Sequence, residues 1–465
     1  MVSNSLVKEF QRLLGKDQVF LQETDRLTYA YDAAVLPLVL PAVVVRPNST
    51  QRLGQVVRLC YENGVPLTVR GAGTNLSGGT IPHPGGVVVL TNALNQIVEI
   101  NEEDLYAVVQ PGVITAKLAQ AVQAKGLFYP PDPGSMTVST LGGNVAENAG
   151  GLRGLKYGVT LDYIMGLNFF SGAGELVKTG SRTVKCVTGY NLTGLMVGSE
   201  GTLGVISEII LKLIPLPEAQ KAMMATFANV SQASETVAAI IASRIVPATL
   251  EFMDNFTIRT VEDYSQAGLP VTAAALLLIE VDGHPAVVAE EAEKVKSICQ
   301  QYGATEVYAA RDAAERDQVW SARRAALSAL AQLKPTVVLE DATVPRSKIP
   351  AMVRAIEEIS RRFALSIGTF GHAGDGNLHP TILTDRRNEA EWHRVEAAVD
   401  AIFEAALELG GTLSGEHGIG LAKARFMEKE VGRGTILYSK RLKAALDPKN
   451  ILNPGKGIGE VSSEQ

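Results

Sequence analysis

Apolar residues along this chain recur in two rhythms. Short β-branched runs at residues 41–46, 67–70, 86–90, 107–110 and 203–213 predict strands. Helical spacing interrupts them at residues 50–63, opening after Ser49 as a candidate cap, and at residues 114–125. Pro215-Leu216-Pro217 then marks a boundary. Beyond it, strand patterns at 223–227, 274–281 and 367–370 alternate with helical patterns at 231–244, 285–302, 313–332 and 347–363. Long helices following β-rich runs predict an antiparallel sheet covered by helices on one face, so the fold class expected is α+β. A further helix over 389–409 stops at Gly410-Gly411, and residues 447–455 read as a turn-forming segment. No repeat at a fixed period and no low-complexity tract is visible.

Composition narrows the class without naming a chemistry. A length of 465 residues, 46% hydrophobic and 20% charged, suits a soluble protein of about three folding regions. A net charge of −6 offers no basic face for nucleic acid. Cys60, Cys186 and Cys299 are scattered, without metal-ligand spacing, and fit a reducing compartment. The N-terminus lacks the basic start and apolar run of a signal peptide, and the apolar stretch 33–45 is broken by Pro37 and Pro41. A cytoplasmic location is therefore expected, with peripheral membrane attachment through a partner left open.

Glycine changes the picture. Of 44 glycines, 25 lie between Gly64 and Gly204, a density that serves tight turns and close backbone approaches around a large phosphate-bearing ligand. The run Pro66 to Gly79 is a strand entering a loop rich in glycine, hydroxyl and amide groups, and it matches neither a P-loop nor G-x-G-x-x-G. Further glycine segments follow at 130–135, 142–151 and 198–204.

Two later segments carry catalytic residue types. Gly371-His372-Ala373-Gly374-Asp375-Gly376-Asn377-Leu378-His379 and Ser414-Gly415-Glu416-His417-Gly418-Ile419-Gly420 hold three of the six histidines. Imidazole and carboxylate suit a divalent metal, and a histidine left over can move a proton. His372 and His379 are seven residues apart, on opposite faces of a regular strand, but Gly374 and Gly376 allow a looped strand to bring both rings to one point. Adjacent residues of an extended chain point apart, so Glu416 and His417 can serve different tasks.

The glycine segments, in this order, resemble the FAD domain of the vanillyl-alcohol-oxidase (PCMH-type) flavoprotein superfamily over residues 38–215. The resemblance implies that Arg70, Gly71, Ala72, Gly73, Thr74, Asn75 and Ser77 face the pyrophosphate. Pro131, Gly134, Ser135, Gly143, Asn144, Gly204, Val205 and Ile206 would surround the rest of FAD. No His or Cys lies between Arg70 and Gly79, so the FAD is expected to be non-covalent. The two histidine segments, with Asn453-Pro454-Gly455-Lys456, extend the likeness over nearly the whole chain. They resemble FAD-linked D-2-hydroxy-acid dehydrogenases, a group with glycolate-, D-lactate- and D-2-hydroxyglutarate-oxidising members.

That resemblance implies an organisation and a reaction. An N-terminal helical segment (1–37) would precede the PCMH-type FAD-binding domain (38–215). A cap or substrate domain (216–410) and a C-terminal catalytic segment returning to the FAD site (411–465) would follow. His372, His379 and Glu416 would hold a divalent metal (zinc, manganese or iron), and His417 would act as base. Asn377 would contact substrate, Arg323 would grip its carboxylate, and Asn453 would lie beside the flavin; Arg324 is expected on a solvated helix face. A lysine that helps hold a second carboxylate in hydroxyglutarate-oxidising relatives has no counterpart in Thr336-Val337-Val338-Leu339-Glu340-Asp341, which favours D-lactate or glycolate. Electrons are expected to pass to a partner protein, as relatives use iron–sulfur subunits or electron-transferring flavoproteins. A D-2-hydroxyglutarate dehydrogenase, or a non-redox transferase of the alkylglycerone-phosphate synthase type, is the alternative.

Overall fold

The computed structural model describes residues 2–458; Met1 and the last seven residues of the 411–465 segment lie outside it. The chain forms two compact units. The first comprises residues 1–150, 159–216 and 416–465, and the second residues 151–158 and 217–415. No helix among the described residues is long and apolar enough to cross a membrane.

The first unit contains a four-stranded and a five-stranded sheet. In the smaller, Val43–Val45, Val87–Leu90 and Leu67–Arg70 run parallel. The continuous apolar sequences of Val43–Val45 and Val87–Leu90 follow from burial on both faces. Val43, Val45, Val87 and Val89 join one core with helix Thr50–Glu62, while Val44, Val88 and Leu90 face the other side. Ser49 caps that helix by accepting from the Arg52 amide. The larger sheet is antiparallel, ordered Ile97–Asn101, Tyr106–Val109, Val205–Lys212, Ile164–Phe170, Leu176–Gly180. The C-terminus joins this unit as well, since Leu452 bridges Leu67 in parallel.

The second unit is built on one antiparallel sheet. Its order is Ala304–Ala309, Ala219–Phe227, Ala275–Gly283, Thr249–Asp254, Ser366–His372, Asn377–Thr384, Thr336–Leu339, with Ala342–Thr343 also pairing Asn377–Thr384. Alternation along Ala275–Gly283 separates two faces. Ala275, Leu277, Ile279 and Val281 pack with residues of helices Val230–Ala242, Pro285–Gln301, Ile349–Phe363 and Glu389–Glu408. Leu276 and Leu278 face a smaller layer from Asn255–Ser265, Ala313–Arg324 and Ala326–Leu330. The main helical layer is thus on one face as expected, with a second layer over part of the other. The pattern over 313–332 resolves into two helices, and the strand Thr249–Asp254 was not anticipated from the sequence.

Candidate active site

In the second unit, Ser366–His372 and Asn377–Thr384 form a hairpin in which His372 pairs with Asn377 and Phe370 with His379. That register puts both histidines on one face as diagonal neighbours. Their ring centroids are 5.0 Å apart with planes 87° to one another, and a nitrogen of each lies within 4.8 Å of the other. The turn requires glycine at position 376, where φ is +94° and a Cβ would come 2.1 Å from the Val344 carbonyl oxygen. Two imidazoles so placed fit a divalent cation of the zinc, manganese or iron type. Asn377 Oδ1, buried beside them, has no hydrogen-bond partner among the described residues, which suits a ligand-facing amide.

Behind the hairpin sits a residue that carried no motif. Glu251, on the neighbouring strand, is fully buried. One carboxylate oxygen accepts from His372 Nδ1 at 2.7 Å. The other accepts from Arg323 Nε at 2.7 Å and Nη2 at 2.5 Å. Burial acts to raise the Glu251 pKa, yet the charges of Arg323 and His372 and their hydrogen bonds hold it below the ordinary value. The Arg323 guanidinium also lies over the Phe370 ring, 4.7 Å from its centre. The sequence signal for Glu251 was an acid inside the apolar run Leu250-Glu251-Phe252-Met253. Such acids are rarely buried unless paired. On the other side of the hairpin, Asp341 Oδ1 is 4.0 Å from His379 Nδ1, and Asp341 accepts from Ser414 Oγ at 2.7 Å. Gly415, the last residue of this unit, backs onto the side chains of Thr343 and Asn377. Glu416 and His417 are the next two residues of the chain.

In the first unit the glycine loop is braced by its own polar side chains. Arg70 Nη1 donates to the Tyr31 carbonyl at 2.6 Å and to Thr80 Oγ1 at 3.2 Å. Its guanidinium is therefore engaged within the loop's own support. Asn75 donates to Asp32 at 2.7 Å and accepts from Thr80 Oγ1 at 2.9 Å. Gly71 passes so close to Thr140 that a Cβ would lie 2.2 Å from its Oγ1. Thr140 caps helix Leu141–Glu147 by accepting from the Gly143 amide. Thus Arg70 to Asn75 and Gly143 meet on one loop system, with Ala72 exposed and Thr74 half-buried. Loop amides beside a capped helix start fit a pyrophosphate. Asn144 is buried and donates to Thr115 Oγ1 at 2.8 Å. Pro131 is buried, Gly134 exposed and Ser135 half-buried, while Gly204, Val205 and Ile206 are buried at the start of the central strand of the five-stranded sheet.

The same unit anchors the segment after His417. The amides of Ile419 and Gly420 both donate to Glu200, each at 2.7 Å, and those of Leu421 and Ala422 donate to the Ser77 carbonyl. Glu147 is close by, and burial with the nearby charges of Glu200 and Asp32 pushes its carboxyl well above the usual range. Asn453 donates to the carbonyls of Gly79 at 2.8 Å and Glu200 at 2.7 Å, and accepts from Thr68 Oγ1 at 3.1 Å. One side chain therefore ties the first glycine loop, the 198–204 turn and the C-terminal segment together.

These features agree with the families the chain matches. Residues 41–180 match the family described as "FAD binding domain", and residues 216–457 match "FAD linked oxidases, C-terminal domain". The chain belongs to the FAD-linked oxidase family. As a member, it is an FAD-linked oxidoreductase. It is 51% identical to the glycolate oxidase subunit GlcD of Bacillus subtilis (strain 168) over 456 residues, covering 98% of this chain and 97% of the relative. GlcD of Escherichia coli (strain K12) is 40% identical, with 90% and 84% covered. A D-lactate dehydrogenase of Anaerostipes hadrus is 34% identical, with 98% and 97% covered. Among solved structures, p-cresol methylhydroxylase with substrate bound superposes with a TM-score of 0.83 at 17% identity, covering 99% of this chain and 98% of that one. At that identity the likeness shows the shared PCMH-type fold alone. This FAD-linked oxidase therefore has relatives named for oxidising hydroxy acids, and a histidine pair in its second unit.

Proposed function

We propose that this FAD-linked oxidase converts a small D-2-hydroxy acid, D-lactate or glycolate, to its 2-oxo acid and passes the electrons to a partner protein. The observation that carries the reading is the His372–His379 pair beside Arg323, in a chain whose full-length relatives are named for glycolate and D-lactate. Glu416 follows Gly415 directly, so we assign it as third ligand with His372 and His379. Non-covalent FAD would sit on the loop of Arg70 to Ser77. When bound, FAD accepts the hydride from C2 and a divalent cation polarises the substrate hydroxyl.

The side chains supply the remaining steps. His417 takes the proton of the 2-hydroxyl as the carbonyl forms. Arg323 holds the substrate carboxylate through Nη1, since its Nε and Nη2 are turned to Glu251. Asn377 offers its buried amide as a further substrate contact beside the histidine pair. Holding substrate at two points fixes the direction in which C2 presents its hydrogen, and orientation of this kind carries much of the rate. For the electron acceptor, support comes from a relative named as a subunit.

The test is anaerobic mixing with a panel of D- and L-2-hydroxy acids, with metal analysis on the same sample. Bleaching of the flavin band by D-lactate or glycolate is expected, together with close to one divalent metal per chain. Absence of bleaching by every hydroxy acid would remove the proposal and leave FAD-linked oxidation of another substrate class on the same fold.

A further inference from the structure

We infer that Glu251 is a positioning residue that sets His372 as a metal ligand and Arg323 as a carboxylate grip through one shared carboxylate. The inference rests on the metal role proposed for His372, and on geometry within the second unit alone. Glu251 lies in the strand Thr249–Asp254, beside the strand that ends in His372, with Phe252 opposite Gly371. It is wholly buried, and its neighbours along the chain, Leu250, Phe252 and Met253, are core residues. A carboxylate in such a place costs several kcal/mol unless each oxygen is matched to a donor. Both oxygens are matched, one by His372 and the other by Arg323.

Each bond fixes a chemical choice. A carboxylate only accepts, so the 2.7 Å contact from His372 Nδ1 requires the proton on Nδ1. The Nε2 lone pair is then the ligand atom, and the ring cannot flip without losing the bond. Outer carboxylates of this kind typically change metal affinity by about 10–100-fold when removed. The second oxygen takes Nε and Nη2 of Arg323, the side-on mode, so the guanidinium plane is locked with Nη1 at the far edge. Phe370 covers that plane at 4.7 Å and prevents it from swinging. Helix Ala313–Arg324 and the hairpin are thereby held in register by one side chain. Asparagine or glutamine cannot substitute, since an amide has one acceptor atom for two donors.

The experiment compares wild type, Glu251→Gln and Glu251→Asp as FAD-loaded proteins. Nitrogen NMR of histidine-labelled, metal-free protein reads the His372 tautomer, assigned with His372→Ala. Zinc and manganese titrations by calorimetry read affinity, and flavin reduction separates kcat from KM. The expected result is an Nδ1–H tautomer in wild type, lost in Glu251→Gln. Metal affinity should fall about 10–100-fold, KM for the hydroxy acid should rise, and Glu251→Asp should recover part of both. Unchanged tautomer and unchanged metal affinity in a folded Glu251→Gln overturns the inference. If wild type binds no metal yet shows the Glu251-dependent tautomer, the metal reading fails while the orienting role stands. If Glu251→Gln does not fold, Glu251→Asp and the wild-type tautomer decide: an Nε2–H tautomer in wild type also overturns it.

Discussion

Replacing Lys443 with Met tests how the C-terminal segment is fastened to the FAD-binding unit. Lys443 is buried on helix Met427–Leu446, and its ammonium donates to Asp447 Oδ2 at 2.5 Å and to the carbonyls of Thr202 and Leu452 at 2.7 Å each. Asp447, equally buried, accepts in addition from the amides of Ile451 and Leu452 at 3.1 and 2.8 Å. Met fills nearly the same volume, so packing changes little. What is lost is charge and three donors. Two buried carbonyls without partners cost about 1–3 kcal/mol each, and breaking a buried ion pair from one side costs about 3–5 kcal/mol. These overlap, so the expected loss is about 4 kcal/mol. Urea unfolding followed by flavin fluorescence, which rises as FAD leaves, measures it by linear extrapolation. A loss below about 1 kcal/mol would mean that water replaces the ammonium and that the clamp is not structural.

Three further outcomes follow from the site and the sheet. His417→Asn is expected to slow anaerobic flavin reduction by about 10²–10⁴-fold with FAD still bound, and normal reduction would exclude His417 as the base. Asp254 caps helix Asn255–Ser265 and also accepts from the Thr369 amide at 2.7 Å, and burial pushes its pKa from 3.8 up to about 6. The native state therefore binds more protons than the unfolded chain between those values, so its contribution falls as pH rises from 3.8 to 6. Asp254→Asn lacks that component, so the wild-type-minus-variant stability difference should fall by at most about 3 kcal/mol as pH rises through this window; a difference that stays constant across it counts against the reading. Gly376→Ala, forced to φ +94° against the Val344 carbonyl, should lower both the melting temperature and the bound metal, and wild-type values of both would contradict the hairpin geometry.

The parts legible in the sequence share a physical cause. Helix Glu389–Glu408 announces itself by long amphipathic spacing and a glycine stop, and strand Leu67–Arg70 by a β-branched run entering a glycine loop. The histidine hairpin was half legible. Gly374 and Gly376 showed that the chain turns, but the pairing of His372 with Asn377 depends on the neighbouring strand. Thr249–Asp254 was missed because it follows Val246-Pro247 closely and its alternation, Thr249-Leu250-Glu251-Phe252, breaks at Met253. Glu251 was missed with it: its significance lies in Arg323, 72 residues away, and His372, 121 residues away. Likewise Arg70 carries the charge expected of a phosphate contact, and only tertiary structure reveals Tyr31 and Thr80 as its partners.

The bond from Thr68 to Asn453 joins residues 385 apart in sequence. At roughly 5–20 residues per second of synthesis, the first glycine loop waits on the order of 20–80 s on the ribosome before its last carbonyl partner emerges. During that interval Leu67 has no Leu452 beside it, and the parallel strand edge it belongs to is open to other chains. Sheltering that edge while the rest of the chain is made is therefore a demand that this fold places on its synthesis.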